Sequence, residues 1–223
     1  MTVYQDNPSV AVQAACPLCR HAGLFECLNS PLDSIYRLCE NCRLIFIEER
    51  FLPDPDSERK RYLEHENGPE FPGYVNFLYR AVNPALPFLT PGMRGLDYGC
   101  GPAPTLSGML EREGMACQNY DPFFFPRHPR GPFDFIFVTE AAEHFFQPGE
   151  EFNRIRNLLK ADGLLTIMTE LWKDWDQFSD WYYAKDYTHV SFYNMHTIDA
   201  ICDLFGFRPL HLDRSRVSVL RKI

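Results

Sequence analysis

The sequence predicts an α/β fold: a doubly wound, mostly parallel sheet preceded by a small module built on four cysteines. Three observations carry this. From residue 93 onward, strand-like apolar runs alternate with helical stretches, the pattern of a parallel sheet covered on both faces. The turn after the first of those strands holds Gly99 and Gly101, and the next strand ends on Asp121. Ahead of both stand Cys16-Pro-Leu-Cys19 and Cys39-Glu-Asn-Cys42, 19 residues apart. With 223 residues, 45% of them hydrophobic and 23% charged, the chain is no disordered or low-complexity segment and has room for one ordinary domain plus an accessory module. Basic residues number 22 and acidic 30, a formal net charge of −8 that counts against a polyanion partner. No stretch approaches the roughly 18 apolar residues that span a bilayer. Residues 1–8 show no signal-peptide pattern, so a cytoplasmic location and no membrane partner are expected.

In order along the chain, residues 1–50 read as the cysteine module. Each Cys-x2-Cys turn points two thiolates at one centre, and two such turns at this spacing complete a tetrahedron around Zn²⁺. Cys16, Cys19, Cys39 and Cys42 are therefore the expected metal ligands of a zinc ribbon. Four thiolates leave no open position, so the ion would be structural. A redox dithiol needs only one pair, and a zinc deaminase would need a His-x-Glu ahead of Pro-Cys-x2-Cys, which is missing. His21 is the one alternative ligand nearby, and Cys27, Cys100, Cys117 and Cys202 read as small buried or turn residues. Short strands are expected at 36–38 and 44–47. Residues 51–92 read as a helical linker that helps cover the site, with helices at 57–66 and 74–89, after Pro53-Asp-Pro55-Asp-Ser57 has supplied capping chemistry.

Residues 93–223 form the main domain. Strands are expected at 95–98, 115–120, 133–138, 163–168, 207–213 and 216–221, and helices at 104–114, 149–160 and 197–205. In Asp97-Tyr-Gly99-Cys-Gly101-Pro-Ala103-Pro, the glycines allow a ligand to approach the backbone beside the start of a helix. Asp121 lies 20 residues past Gly101, where a carboxylate reaches ribose hydroxyls. A dinucleotide fingerprint wants a third glycine at position 104, which is Pro.

The order of motifs instead resembles class I S-adenosylmethionine-dependent methyltransferases, over roughly residues 93–223. The resemblance rests on Leu96-Asp-Tyr-Gly-Cys-Gly101, on Asp121, and on Phe133-Asp-Phe-Ile-Phe-Val-Thr-Glu-Ala-Ala-Glu-His144. It continues with Leu158-Leu-Lys-Ala-Asp-Gly163 and Asp186-Tyr-Thr-His-Val-Ser-Phe-Tyr193. The nearest likeness is to small bacterial members with an N-terminal zinc ribbon. The resemblance implies a Rossmann-like sheet and a methyl transfer from S-adenosyl-L-methionine. It implies that Asp97, Gly99 and Gly101 hold the methionine end of that cofactor, that Asp121 holds the ribose, and that Glu140 lines the methyl-transfer site. Where the family has a third glycine, this chain has Ala103.

Two departures matter. Only eleven residues, four of them proline, separate Asp121 from the central strand at Phe133. They span at most about 36–40 Å when extended, and no helix plus strand fits, so a sheet shortened to six strands is expected. The usual adenine-contacting acid is lost with that strand; Phe123-Phe-Phe125, with Pro122 and Phe123 expected at the cofactor, are left to supply an apolar wall or else simply to pack in the core. All three tryptophans, Trp172, Trp175 and Trp181, fall within ten residues, with Tyr182, Tyr183 and Tyr187 close behind. This reads as an aromatic lid over the ligand, or as a satellite core beneath a long loop.

His189 is the candidate general base, since imidazole titrates near neutrality. Glu143 and His144 form a recurrent Glu-His pair, with either catalytic or helix-entry roles; His65, His128, His196 and His211 belong to no constellation. The expected activity is methyl transfer to an oxygen, nitrogen or carbon of a small molecule. A ribosomal or transfer RNA acceptor is an alternative that the acidic charge disfavours, and a non-catalytic interaction module is a third.

Overall fold

A computed structural model of the protein describes residues 13–223 apart from 30, 31, 33 and 66. The amino-terminal residues read for targeting lie outside the described ones.

The ribbon begins with the pair β1 (Gln13–Ala15) and β2 (Ala22–Leu24), wrapped around the first cysteine turn. The strands β3 (Glu26–Asn29), β4 (Ile35–Leu38) and β5 (Ile45–Ile47) follow as an antiparallel sheet. Next come α1 (Pro55–Leu63) and α2 (Pro72–Ala85). Asp54 caps α1 by accepting from the backbone N–H groups of Asp56 and Ser57 at 3.1 and 3.0 Å, and Pro55 fits the first turn, so this helix starts two residues ahead of the expected one.

The main domain runs β6 (Arg94–Tyr98), α3 (Thr105–Arg112), β7 (Ala116–Tyr120), β8 (Phe133–Thr139), α4 (Pro148–Leu158) and β9 (Leu159–Met168). After a long connection come β10 (Ser191–Phe192), α5 (Met195–Phe205), β11 (Phe207–Leu212) and β12 (Val217–Lys222). The six-stranded sheet has the order β11-β12-β9-β8-β6-β7. β6 pairs in parallel with β7 and β8, and β8 in parallel with β9. β12 is antiparallel to both of its neighbours, so it is the one reversed strand. The expected shortening is present. β7 is an edge strand, and past it Asp121 and Phe125 exchange backbone hydrogen bonds at 3.2 and 3.0 Å, closing a tight turn where a further strand was excluded.

Each face of the sheet is buried. Leu78 and Val82 of α2 and Leu106, Met109 and Leu110 of α3 pack on Phe135, Phe137, Met168 and Val219. On the other face, Phe152 and Ile155 of α4 and Ile198 and Ile201 of α5 pack on Leu96, Ile136, Val138 and Ile167, in one cluster that runs on to Cys16, Leu18 and Phe46 of the ribbon. The ribbon is thus joined to the sheet's core and shares it. Its sheet takes β10 as a fourth strand, with Ser191 opposite Phe46 and Phe192 opposite Ile45. Contact is close elsewhere too: the Gly149 N–H donates to the Pro17 carbonyl at 3.0 Å, and a Cβ on Gly149 would meet carbonyl oxygens at 2.7 and 2.8 Å. Among the described residues, no helix is long and apolar enough to cross a membrane.

Candidate active site

Parallel strands deliver the ends of β6, β7, β8 and β9 to one edge of the sheet, and the chain changes direction across β6, with β7 on one side and β8 on the other. Open α/β sheets bind ligands outside such an edge. Here a cavity of about 880 Å³ lies there, near the upper end of the range for ligand pockets.

The glycine turn forms part of its wall. Gly99 and Gly101 have φ of 85° and 64°, which side chains rarely tolerate. A Cβ on Gly99 would lie 2.5 Å from that of Ala141, whereas one on Gly101 would enter open space. Asp121 lines the cavity at the end of β7 and accepts from the N–H groups of Gly101, Phe123 and Phe124 at 3.1, 2.8 and 3.1 Å. A carboxylate offers about four acceptor positions, so capacity is left for a hydroxyl. Pro122 and Phe123 are on the wall as well.

Asp97 is placed differently from its neighbours. It is buried on β6, a central strand covered on both faces, and is not one of the residues of the cavity wall. Its Oδ1 has no partner, and burial, with Asp121 nearby, pushes its pKa up to about 7.

Glu140 also reaches the wall, at a left-handed φ of 47°, but its carboxylate is already engaged. Arg216 donates to its two oxygens at 2.8 and 2.9 Å, and the Tyr183 hydroxyl oxygen lies 3.2 Å from one of them. Arg216 further pairs with Glu170 and lies over the rings of Phe77 and Tyr183. Sequence reading missed this arginine. Its signal is the reversed direction of β12, which brings the start of that strand, and not its end, to the active edge.

Glu143 and His144 sit in a single helical turn after β8, and His189 in the connection before β10; all three line the cavity. The imidazole rings of His144 and His189 lie edge to face with centroids 4.8 Å apart. Nδ1 of His144 donates to the Thr188 carbonyl at 2.8 Å, and Nδ1 of His189 to the Tyr183 carbonyl at 2.7 Å. Burial pushes the two pKa values down to about 4 and about 3, so both rings are neutral at physiological pH. Glu143 is fully buried and its pKa is raised by burial; its Oε1 accepts from the Tyr183 hydroxyl at 2.6 Å, and its Oε2 has no partner.

α1 covers the cavity with Glu58, Arg61, Tyr62 and, just beyond, His65, none of which the sequence singled out for this role. Tyr62 donates to Glu58 at 2.8 Å and stands edge-on to His144. Burial raises Glu58 to about 7. Arg61 donates from Nε and Nη2 to Asp186 at 2.9 and 2.8 Å. Burial works against the Asp186 carboxylate, but hydrogen bonds from Arg61 and Thr188 hold its pKa well below the usual range. The aromatic segment divides between the two expected roles. Tyr182 and Tyr183 line the cavity, whereas Trp172, Phe178 and their neighbours Trp175 and Trp181 pack with Tyr36, Ile45 and Ile47 of the ribbon. The tryptophans therefore form a satellite core.

Away from the cavity, one sulfur from each of Cys16, Cys19, Cys39 and Cys42 lies within 4.8 Å of the others. The two turns are built alike. Cys16 N–H donates to the His21 carbonyl and Arg20 N–H to the Cys16 carbonyl; Cys39 pairs with Leu44 and Arg43 in the same way, each bond 2.9 Å. Arg20 and Arg43 both adopt left-handed φ, 60° and 59°. His21 is exposed and outside the cluster.

Residues 63–212 match a family model described as a methyltransferase domain, more than half of the chain. The chain belongs to the methyltransferase family. Its fold is that of class I S-adenosylmethionine-dependent methyltransferases. A TehB-like SAM-dependent methyltransferase from Corynebacterium glutamicum is similar at TM-score 0.50 and 13% identity, covering 75% of this chain and 98% of that one. Burkholderia thailandensis 1,6-didemethyltoxoflavin-N1-methyltransferase, solved with 1,6-didemethyltoxoflavin and S-adenosylhomocysteine, is similar at 0.50 and 14%, covering 85% and 95%. LaPhzM is similar at 0.53 and 17%, covering 76% of this methyltransferase, which spans 59% of LaPhzM. No curated protein matches the chain.

Proposed function

We propose that this methyltransferase transfers the methyl group of S-adenosyl-L-methionine to an oxygen, nitrogen or carbon of a small molecule held in the cavity. The observation that carries this reading is the convergence of the glycine turn, Asp121 and the Glu143–His144–His189 group on one cavity of about 880 Å³. The residues fit the cofactor. Open space at Gly101 admits a chain along the turn, the unpartnered Oδ1 of Asp97 supplies negative charge for an ammonium group, and Asp121 has capacity for a ribose hydroxyl. Pro122 and Phe123 provide apolar surface for the base. The cofactor brings a reactive sulfonium methyl, so the protein's task is chiefly alignment. Tyr62, Tyr183, His144 and His189 line the region where an acceptor would lie.

The four cysteines fit a structural zinc ion. A tetrahedron with Zn–S bonds of about 2.3 Å has edges of about 3.8 Å, and the Cys16–Cys42 and Cys19–Cys39 sulfurs stand 3.6 and 3.7 Å apart. In this reading residues 1–50 brace the site, 51–92 help to cover it and 93–223 carry the cofactor. Thiolate ligands of this kind suit a reducing compartment, and we place the protein in the cytoplasm. An RNA acceptor is disfavoured by the net charge of −8 and by Glu58, Asp121 and Asp186 on the cavity wall.

The test is calorimetry with S-adenosylhomocysteine, followed by transfer of labelled methyl to a panel of small hydroxyl, amine and carbon acceptors. The reading expects one binding site per chain and a labelled product. Absence of binding would leave a non-catalytic interaction module, and label passing only to RNA would replace the acceptor class.

A further inference from the structure

Glu143, His144 and His189 have an arrangement that methyl transfer alone does not require. A ligand atom from each lies within 4.8 Å of the other two. Each imidazole commits Nδ1 to a backbone carbonyl, Thr188 for His144 and Tyr183 for His189. A carbonyl only accepts, so Nδ1 carries the hydrogen and Nε2 the lone pair. Histidines that bind metals are held in this way, one ring nitrogen fixed by a carbonyl and the other free to ligate.

Glu143 supplies the second, independent sign. It is 0% exposed, and its Oε2 has no donor. Leaving a carboxylate oxygen buried and unsatisfied is costly, more so than for a neutral group. The nearby guanidinium does not cover it: Arg216 hydrogen-bonds to Glu140 and Glu170. Arg61 is taken by Asp186 and Glu64. Two imidazoles and one carboxylate, brought together at the wall of the cavity, are a donor set that suits a divalent transition-metal ion with open positions. Mg²⁺ and Ca²⁺ prefer all-oxygen sites.

We propose that Glu143, His144 and His189 bind a divalent transition-metal ion, distinct from the four-cysteine cluster, whose open positions take an oxygen of a hydroxyl-bearing methyl acceptor. The acceptor part rests on the methyl-transfer reading; ion binding does not. The ion would orient the acceptor and ease loss of its hydroxyl proton. In the transfer, the acceptor oxygen forms a bond to the methyl carbon while the carbon–sulfur bond breaks. Both electrons of that bond stay on sulfur, giving S-adenosylhomocysteine, and the hydroxyl proton leaves to water.

The experiment uses the full chain with zinc kept in the cysteine cluster, stripped of weaker-bound metal and titrated with Co²⁺. Uptake is followed by equilibrium dialysis and visible absorption, and S-adenosylhomocysteine binding is measured on the same samples. The wild type should take up one Co²⁺ beyond the cysteine-bound metal, with ligand-field bands free of sulfur-to-cobalt charge transfer. Glu143→Gln and His189→Gln should each weaken uptake at least tenfold while retaining S-adenosylhomocysteine binding, which shows that they remain folded. The proposal is overturned if the wild type takes up no second ion, or if both variants bind it as the wild type does. Ion uptake without S-adenosylhomocysteine binding would support the metal site and defeat the cofactor reading instead.

Discussion

Asp97 is buried and partnerless at one oxygen, with its pKa pushed up to about 7, well above the usual carboxylate range. Its folded-state pKa is raised, so the folded protein binds a proton there that the unfolded chain releases between about pH 4 and 7; the ligand-free protein loses stability as pH rises through that window. In the proposed placement, a cofactor ammonium at the glycine turn would feel the Asp97 charge across that turn and favour the ionised form. Affinity for S-adenosylhomocysteine should therefore rise with pH between about 5 and 7, by up to about tenfold per unit, and level off above. Calorimetry across that range checks this; a wild-type affinity that does not change with pH would place the ammonium elsewhere, and Asp97→Asn should remove the dependence. Asp121 acts differently, through hydrogen bonds. If Asp121 takes a ribose hydroxyl as proposed, Asp121→Asn, which keeps an acceptor for the turn but loses the charge, should lower cofactor affinity about tenfold, with thermal stability as the control.

At the level of elements, the ribbon matters because of what it holds. β5 pairs with β10, which starts two residues after His189, and the Tyr36 hydroxyl donates to the His189 carbonyl at 2.9 Å. The aromatic connection packs its tryptophans on β4 and β5, which leaves Tyr183 positioned to reach Glu143 and Glu140. If the four cysteines hold zinc as proposed, Cys39→Ser or chelation of that ion should thus cost several kcal/mol of stability, on the order expected for losing a structural zinc ligand. It should also weaken cofactor binding at a site that contains no cysteine ligand. Loss of stability with cofactor binding unchanged would show the ribbon to be a bystander. The cysteine turns and the glycine turn were legible in the sequence because their chemistry is local, fixed by spacings of a few residues. Arg216, Tyr62 and Glu58 were not, because each reaches the cavity only through tertiary structure: one by the reversal of β12, the others by the fold-back of α1. The tryptophans were ambiguous for the same reason, since nothing near them in sequence announces that β4 and β5 will lie beneath.

Over the whole molecule, a single apolar cluster runs from Cys16 and Phe46 through Phe152 and Tyr193 to Leu220. A boundary between ribbon and sheet would cut through it. Thermal unfolding should therefore be one cooperative transition, with tryptophan fluorescence, which reports the ribbon contact, and far-ultraviolet dichroism, which reports the helices, changing together. Two separated transitions would mean that the ribbon melts alone. The strand order, with its missing edge, followed from four prolines in eleven residues, a whole-fold consequence that a short segment could announce. The central claim is that the edge formed by β6, β7 and β8 holds the cofactor and presents its methyl group to Glu143, His144 and His189. A crystal structure with S-adenosylhomocysteine tests it most directly. The account predicts the amino-acid end along Gly99–Gly101, ribose hydroxyls on Asp121 and the sulfur facing the two imidazoles; a cofactor bound elsewhere, or with its sulfur turned away from that group, would contradict it.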